Sequence, residues 1–253
     1  MRLWVILLAA TACYSQDFTQ RGFIETRLLL YPQTVPADSG RVIDEVYLEY
    51  EFSKKISTGL RVYGAFEAQT DTHRQTERTF DFSWLDRKIR RPLFGVRRLS
   101  ASYTKGPLNI ELGKQSVRWG KADILNPTDR FAPRDFLSVF HPDYLSITGS
   151  RLIYGGQSNT IDLVFVPFFT PSRAPLFNQR WVNLPQTLPL NDLGARYPGG
   201  TQFGGRFNHI GKVAEWSISY FDGYNNLPLI DYALTPSLPP RLDVQRRRAG
   251  NLG

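Results

Sequence analysis

Nine stretches of this chain alternate apolar and polar residues with a period of two, and the connections between them alternate short and long. The alternation predicts β-strands with one apolar and one polar face. In the first stretch Ile24, Thr26, Leu28 and Leu30 share a face, opposite Glu25 and Arg27. In the second, Val46, Leu48, Tyr50 and Phe52 oppose Glu45, Tyr47, Glu49 and Glu51. The third sets Leu60, Val62, Gly64, Phe66 and Ala68 against Arg61, Tyr63, Glu67 and Gln69; the fourth sets Leu99, Ala101 and Tyr103 against Arg98, Ser100, Ser102 and Thr104. The fifth opposes Leu108, Ile110 and Leu112 to Asn109, Glu111 and Gln115. The sixth, near Arg151 to Tyr154, has no clear faces. The seventh carries Ile161, Leu163 and Phe165 against Thr160 and Asp162; the eighth Phe203, Gly205 and Phe207 against Gln202, Arg206 and Asn208; the ninth Ala214, Trp216, Ile218 and Tyr220 against Glu215, Ser217 and Ser219.

A soluble sandwich alternates too, so the connections decide. Short turns fall around Ser53-Lys54-Lys55, Lys105-Gly106-Pro107, Gly155 to Asn159 and Ile210-Gly211-Lys212. The other connections run to about 10 residues after Tyr31 and about 26 to 33 after Gln69, Trp119 and Pro167. Short turns on one side and long loops on the other are the rule of outer-membrane barrels. The expected fold is therefore all-β: a transmembrane antiparallel up-and-down β-barrel, with its short turns periplasmic and its long loops outside. Nine is an odd count, whereas bacterial single-chain barrels use an even one. After Tyr224 the prolines at 228, 236, 239 and 240 read as loop, and the chain ends in Asn251-Leu252-Gly253. The expectation is thus an N-terminal portion of a barrel lacking at least one strand.

Residues 1–15 read as a secretory signal: Arg2 is followed by an apolar run from Leu3 to Ala12, and Cys13 and Ser15 are the small residues before a cleavage at Gln16. Lipidation of Cys13 is the competing reading. Export leaves residues 16–253 as one barrel domain in the outer membrane, with lipid as its partner. The 253 residues carry a formal charge of +8, but the basic residues form no single helix or tail, and an exported chain has no nucleic-acid partner. Beyond the leader no apolar run is long enough for a membrane helix.

The longest polar interruption of interest is Arg118 to Phe136. It holds Arg118, Lys121, Arg130 and Arg134 against Asp123, Asp129 and Asp135, with a turn signal at Asn126-Pro127-Thr128-Asp129. Ile124, Leu125, Phe131, Phe136 and Leu137 give it apolar surface to bury. Two readings stay open: a surface loop stapled by ion pairs, or a loop folded into a cavity that it constricts. With Gly113-Lys114-Gln115, Arg118-Trp119-Gly120-Lys121 and Pro133-Arg134-Asp135, this stretch resembles a group of poorly characterised Gram-negative outer-membrane porin-like barrels. The resemblance implies a β-barrel in the outer membrane that acts as a channel.

No chemistry competes strongly. His73, His141 and His209 are scattered, no Gly-x-Ser-x-Gly elbow occurs, and Gly199 to Gly205 lacks the Lys-Ser/Thr of a P-loop. No catalytic, metal or cofactor residues are expected. The expected function is passive passage of small hydrophilic solutes. The candidate pore residues are Arg118, Lys121, Asp123, Asp129, Arg130, Arg134 and Asp135 from the loop, and Arg61, Glu67, Arg98, Glu111 and Arg206 from the polar faces. The loop's four basic and three acidic groups predict a slight preference for anions. The alternatives are a plugged surface scaffold, which would bury Phe168, Phe169 and Phe177, and an outer-membrane hydrolase. Solute, total strand number and oligomeric state are not legible.

Overall fold

The computed structural model describes residues 5–9, 14–15, 17–36, 38–80, 82–120, 126–138, 142–176, 179–182, 190–192, 197–233, 241–245 and 248–252. Among the described residues there is no helix. Eleven strands run through one 13-stranded sheet: β1 (Val5–Ala9), β2 (Phe18–Leu30), β3 (Val42–Lys55), β4 (Leu60–Asp71), β5 (Phe94–Lys105), β6 (Leu108–Gln115), β7 (Ile147–Gly155), β8 (Asn159–Phe168), β9 (Gln202–Ile210), β10 (Glu215–Tyr224) and β11 (Arg248–Leu252); the two-residue strands Tyr14–Ser15 and Phe82–Ser83 pair beside β2 and β5. Each pairs antiparallel with its neighbours in chain order, so the topology is up-and-down. No described pairing joins β1 to β11, and the sheet is open.

The nine alternating stretches are β2 to β10. Two strands were not expected. β1 uses the apolar run read as a leader and lies on β2 from Phe23 to Arg27. β11 lies in the stretch read as loop, as do Leu229–Ala233 and Arg241–Gln245, which pair with each other in a separate small sheet where Arg241–Gln245 also pairs with Leu190–Asp192. The prolines that end β10's continuation hid these short segments, because pattern counting over five residues carries little signal.

The two faces of the main sheet differ in composition and exposure. On β8, Leu163 and Phe165 are each 47% exposed, whereas Val164 and Val166, which alternate with them, are 3% and 0% exposed. The same apolar face continues through Ile24 and Leu28 on β2, Val46, Leu48 and Tyr50 on β3, Phe66 on β4, Leu112 on β6, and Trp216, Ile218 and Tyr220 on β10, all exposed. The other face carries the charges and is covered by the long loops. Glu45 and Glu49 on β3, Ser100 and Ser102 on β5 and Asp162 on β8 are buried there. Burying carboxylates while exposing leucine and phenylalanine is unfavourable in water, where exposed contiguous apolar patches are small.

Candidate functional site

The loop between β6 and β7 folds onto the polar face of the sheet. Its register begins with Gly113, which at φ 116° holds a conformation that L side chains avoid; a Cβ there would strike the Leu99 carbonyl on β5. The neighbouring Lys114 and Gln115 are both buried, so the alternation of β6 ends at this glycine. Beyond β6 the chain is held by Asp129, whose Oδ1 accepts from the backbone N–H groups of Trp119 and Gly120 at 2.6 Å each. The Asp129 N–H donates to the Asn126 carbonyl at 3.1 Å, closing the turn that Asn126-Pro127 announces.

Trp119 and Phe131 then pack edge-on, 5.2 Å between ring centroids, and Phe131 meets Phe221 of β10 at 5.1 Å. Val117, Ile147, Val164 and Val166 complete this buried apolar cluster. Gly204 on β9 makes room for it, because a Cβ there would come within 2.8 Å of Phe131 and 2.9 Å of Trp119. The polar end of Trp119 is satisfied: its Nε1–H donates to Asp162 at 2.9 Å, and Arg206 donates to its carbonyl. Asp162 is also gripped by Arg151 at 2.7 and 3.0 Å.

A chain of buried ions ties this loop to two others. Arg91 Nε lies 3.0 Å from Asp135, Arg173 spans Asp135 at 3.0 Å and Asp86 at 2.9 Å, and Asp86 receives Lys114 Nζ at 2.5 Å. Asp86 and Arg91 come from the β4–β5 loop, Asp135 from the β6–β7 loop and Arg173 from the β8–β9 loop. The Arg173 and Lys114 side chains are each 1% exposed. The backbone reinforces the contact: Phe136 N–H donates to the Arg173 carbonyl and Arg173 N–H to the Arg134 carbonyl, both at 2.9 Å. A second junction uses Arg180 from the same β8–β9 loop. It pairs with Asp38 of the β2–β3 loop at 2.9 Å and lies over the Tyr31 ring at 3.5 Å, while His73 Nε2 sits 3.2 Å from Asp38. All four long loops are thereby joined through Arg173 and Arg180.

Burial by itself would raise the Asp135 carboxyl, but the Arg91 and Arg173 guanidiniums and the Leu137 N–H outweigh it and hold the group below the usual carboxylate range. Burial would lower Arg91 and Arg173, and the Asp135 carboxylate beside both more than offsets that, raising them. A carboxyl depressed on folding contributes stability that is fully present above its unfolded value, near 3.9, and lost as pH falls through the lower folded value. Acidification from pH 5 toward pH 2 is therefore expected to release the loops, read as new pepsin-sensitive sites within residues 72–93 and 116–146. A digestion pattern constant down to pH 2 would exclude Asp135 as an acid-labile clasp.

Beside the ion chain is a cavity of about 50 Å³ between the polar face of β2 to β5 and the loops. Arg27, Glu45, Tyr47, Glu67, Asp71 and Arg97 line it from the strands; Asp86, Arg91, Asp135, Asp143 and Arg173 line it from the loops. Six carboxylates thus face four guanidiniums.

The predicted site residues do not form one ring. Asp135 and Glu67 reach this cavity; Glu67 accepts from Tyr47 Oη at 3.3 Å. Arg118 and Arg134 lie over the ring of Tyr144 at 4.2 and 4.4 Å; Tyr144 lines the cavity, but neither arginine reaches it. Asp129 and Arg130 line a different pocket with Arg134. Arg98 and Glu111 pair with each other at 2.7 Å, and Arg61 donates to Ser53 at 3.2 Å. Arg206 sits 3.7 Å from Asp162 and over the Trp119 ring at 5.6 Å. Lys121 and Asp123 lie outside the described residues. Of the phenylalanines expected to mark a plug, Phe169 is fully buried, Phe168 is exposed and Phe177 lies outside the described residues. Sequence reasoning missed Asp86, Arg91 and Arg173, and it noted Lys114 only as part of a motif. No family model matches this chain, and no curated protein or solved structure matches it.

Proposed function

We propose that this chain forms the wall of an outer-membrane β-barrel through which small hydrophilic solutes diffuse past a constriction built by its own loops. One observation carries the reading: ten consecutive strands, β2 to β11, pair without interruption, and the apolar residues of β2, β3, β4, β6, β8 and β10 are exposed while the other face of β3 and β8 buries carboxylates. Lipid is the solvent in which that arrangement is favourable. The longer strands, β2 to β5 at 12 to 14 residues, suffice for a tilted crossing of the hydrocarbon layer. An unpaired strand edge is not viable in lipid, so the reading requires both edges of the sheet to be paired in the membrane. Carboxylates and guanidiniums facing each other across the small cavity supply the transverse field of a selective constriction.

The sign of the selectivity follows from the cavity. Its lining favours carboxylates, and Arg118, Arg130 and Arg134 are not part of it, so a preference for cations replaces the slight anion bias expected from the loop composition. Planar-bilayer recording of the protein under a salt gradient tests this. The expected result is discrete conductance steps with a reversal potential on the cation side. A folded, heat-modifiable barrel that stays silent would favour a second reading, a plugged scaffold. The support for that second reading is the apolar packing of Trp119 and Phe131 against Phe221, Val164 and Val166 on the covered face.

A further inference from the structure

The apolar face does not stop where its long strands do. β6 pairs with β5 from Leu99 onward, and where that pairing ends the two-residue strand Phe82–Ser83 takes its place, parallel to Phe94–Gly95. Residues paired directly across a pleated sheet share a face. Phe82 therefore stands beside Phe94, which on its other side pairs with Ala68 on the apolar face of β4. Phe80 packs on the same Phe94, 4.7 Å between ring centroids. Phe80 is 85% and Phe82 60% exposed. The β4–β5 loop thus carries the apolar face past the rim of the strands.

That loop is fixed from its other side. Asp86 and Arg91 anchor it in the buried ion chain. Arg91 N–H donates to the Gln75 carbonyl at 2.9 Å, and Glu77 N–H donates to the Arg91 carbonyl at 2.8 Å. The two rings are therefore held in place while exposed. The same loop exposes three cations, Arg74, Arg78 and Lys88. Its acidic residues do not balance them at the surface: Asp86 is buried in the ion chain, Glu77 is half-buried and Asp81 lies outside the described residues. Aromatic rings at the end of an apolar face, with cations beside them, match the boundary between acyl chains and phosphate headgroups. A second copy of the chain fits less well, because the same cations would face one another.

We infer that the β4–β5 loop is a docking surface for anionic lipid on the long-loop side of the membrane. Phe80 and Phe82 enter the acyl boundary, and Arg74, Arg78 and Lys88 hold headgroup phosphates. The inference rests on the membrane reading and gives it a lipid class and a place on the molecule.

The test labels the rim. Cys13 is the single cysteine of the sequence, so Cys13→Ser with Phe80→Cys gives one site for a bimane fluorophore. The labelled protein is reconstituted into phosphatidylcholine vesicles whose chains carry bromine just below the headgroups. Strong quenching is expected there, and weak quenching by bromine near the chain ends. Native mass spectrometry of the unlabelled protein in detergent then compares phosphatidylglycerol with phosphatidylcholine. Phosphatidylglycerol is expected to be held more tightly, and Arg74→Gln and Arg78→Gln each to weaken it about fivefold, with heat-modifiability unchanged. An unquenched bimane on a folded, inserted protein would overturn the assignment and leave the barrel standing. So would phosphatidylglycerol binding indifferent to both arginine variants. Bimane shielding that appears in detergent without lipid, and grows with protein concentration, would overturn it in favour of a second copy. Failure to insert into any vesicle would sink the membrane reading, and this inference with it.

Discussion

Replacing Arg173 by methionine is expected to release the loops from the polar face while leaving the sheet paired. Arg173 is the central link of the ion chain, and its removal leaves Asp86 and Asp135 buried with one cation each, Lys114 and Arg91. Taking one partner from a buried pair costs roughly 3–5 kcal/mol, because the remaining charge has lost its compensation rather than because the pair itself was strongly stabilising. The readout is local. Trp84, Trp119 and Trp181 lie in the long loops, so tryptophan emission follows loop release, whereas far-UV dichroism and heat-modifiability follow the sheet. The expected outcome is a red shift of emission at much lower urea than in the parent, with the sheet transition nearly unmoved. Arg173→Lys is expected to recover only part of the loss, since an ammonium lacks the planar fork that spans two carboxylates. Coincident parent and Arg173→Met emission curves would mean that the loops are held by the Trp119–Phe131 cluster alone. In the channel reading the same variant enlarges the conductance step, because the clasp that narrows the lumen is gone.

Leu163→Lys is the second large effect. Leu163 sits mid-strand on the exposed apolar face of β8, between Ile161 and Phe165, and pairs across to Leu152 and Gly205. If that face meets lipid near the midplane, a lysine there opposes insertion by roughly 2–4 kcal/mol. Assembly into vesicles, followed by the heat-modifiable band on a gel, should fall sharply. Ser217→Lys on the opposite face of β10, an exposed position, serves as the control and is expected to assemble normally. Equal assembly of the two variants would show that the apolar face is not the lipid face, and would remove the observation on which the membrane reading stands.

The strands and the pocket were unequally visible in the amino-acid order. The alternation of Val46, Leu48 and Tyr50 with Glu45, Tyr47 and Glu49 specified both a strand and its faces, because side chains two residues apart must share a side of a pleated sheet. The turn at Asn126 to Asp129 was legible for a similar reason: its hydrogen bond closes within four residues. The sixth stretch, without clear faces, became β7 from Ile147 to Gly155, supported by neighbours on both sides rather than by its own pattern.

The ion chain had no such local signature. Arg173 meets Asp86 across 87 positions and Asp135 across 38, and Arg91 meets Asp135 across 44. Nothing in the spacing of Pro171-Ser172-Arg173 distinguishes it from a solvated loop. Likewise the four loop cations looked equivalent, yet Arg118 and Arg134 stack on Tyr144 while the acidic Asp135, from the same stretch, is the residue drawn into the ion chain.

By itself, then, the amino-acid order determined the antiparallel up-and-down sheet and the separation of apolar and polar residues onto its two faces, since both follow from interactions within a strand or between adjacent strands. Only the tertiary structure decided that the loops cover the charged face, that Arg173 and Arg180 join them, and that Asp129 gathers the N–H groups of Trp119 and Gly120. Those outcomes depend on which distant segments meet, and burial sets the strength of a charge's interactions only after they have met.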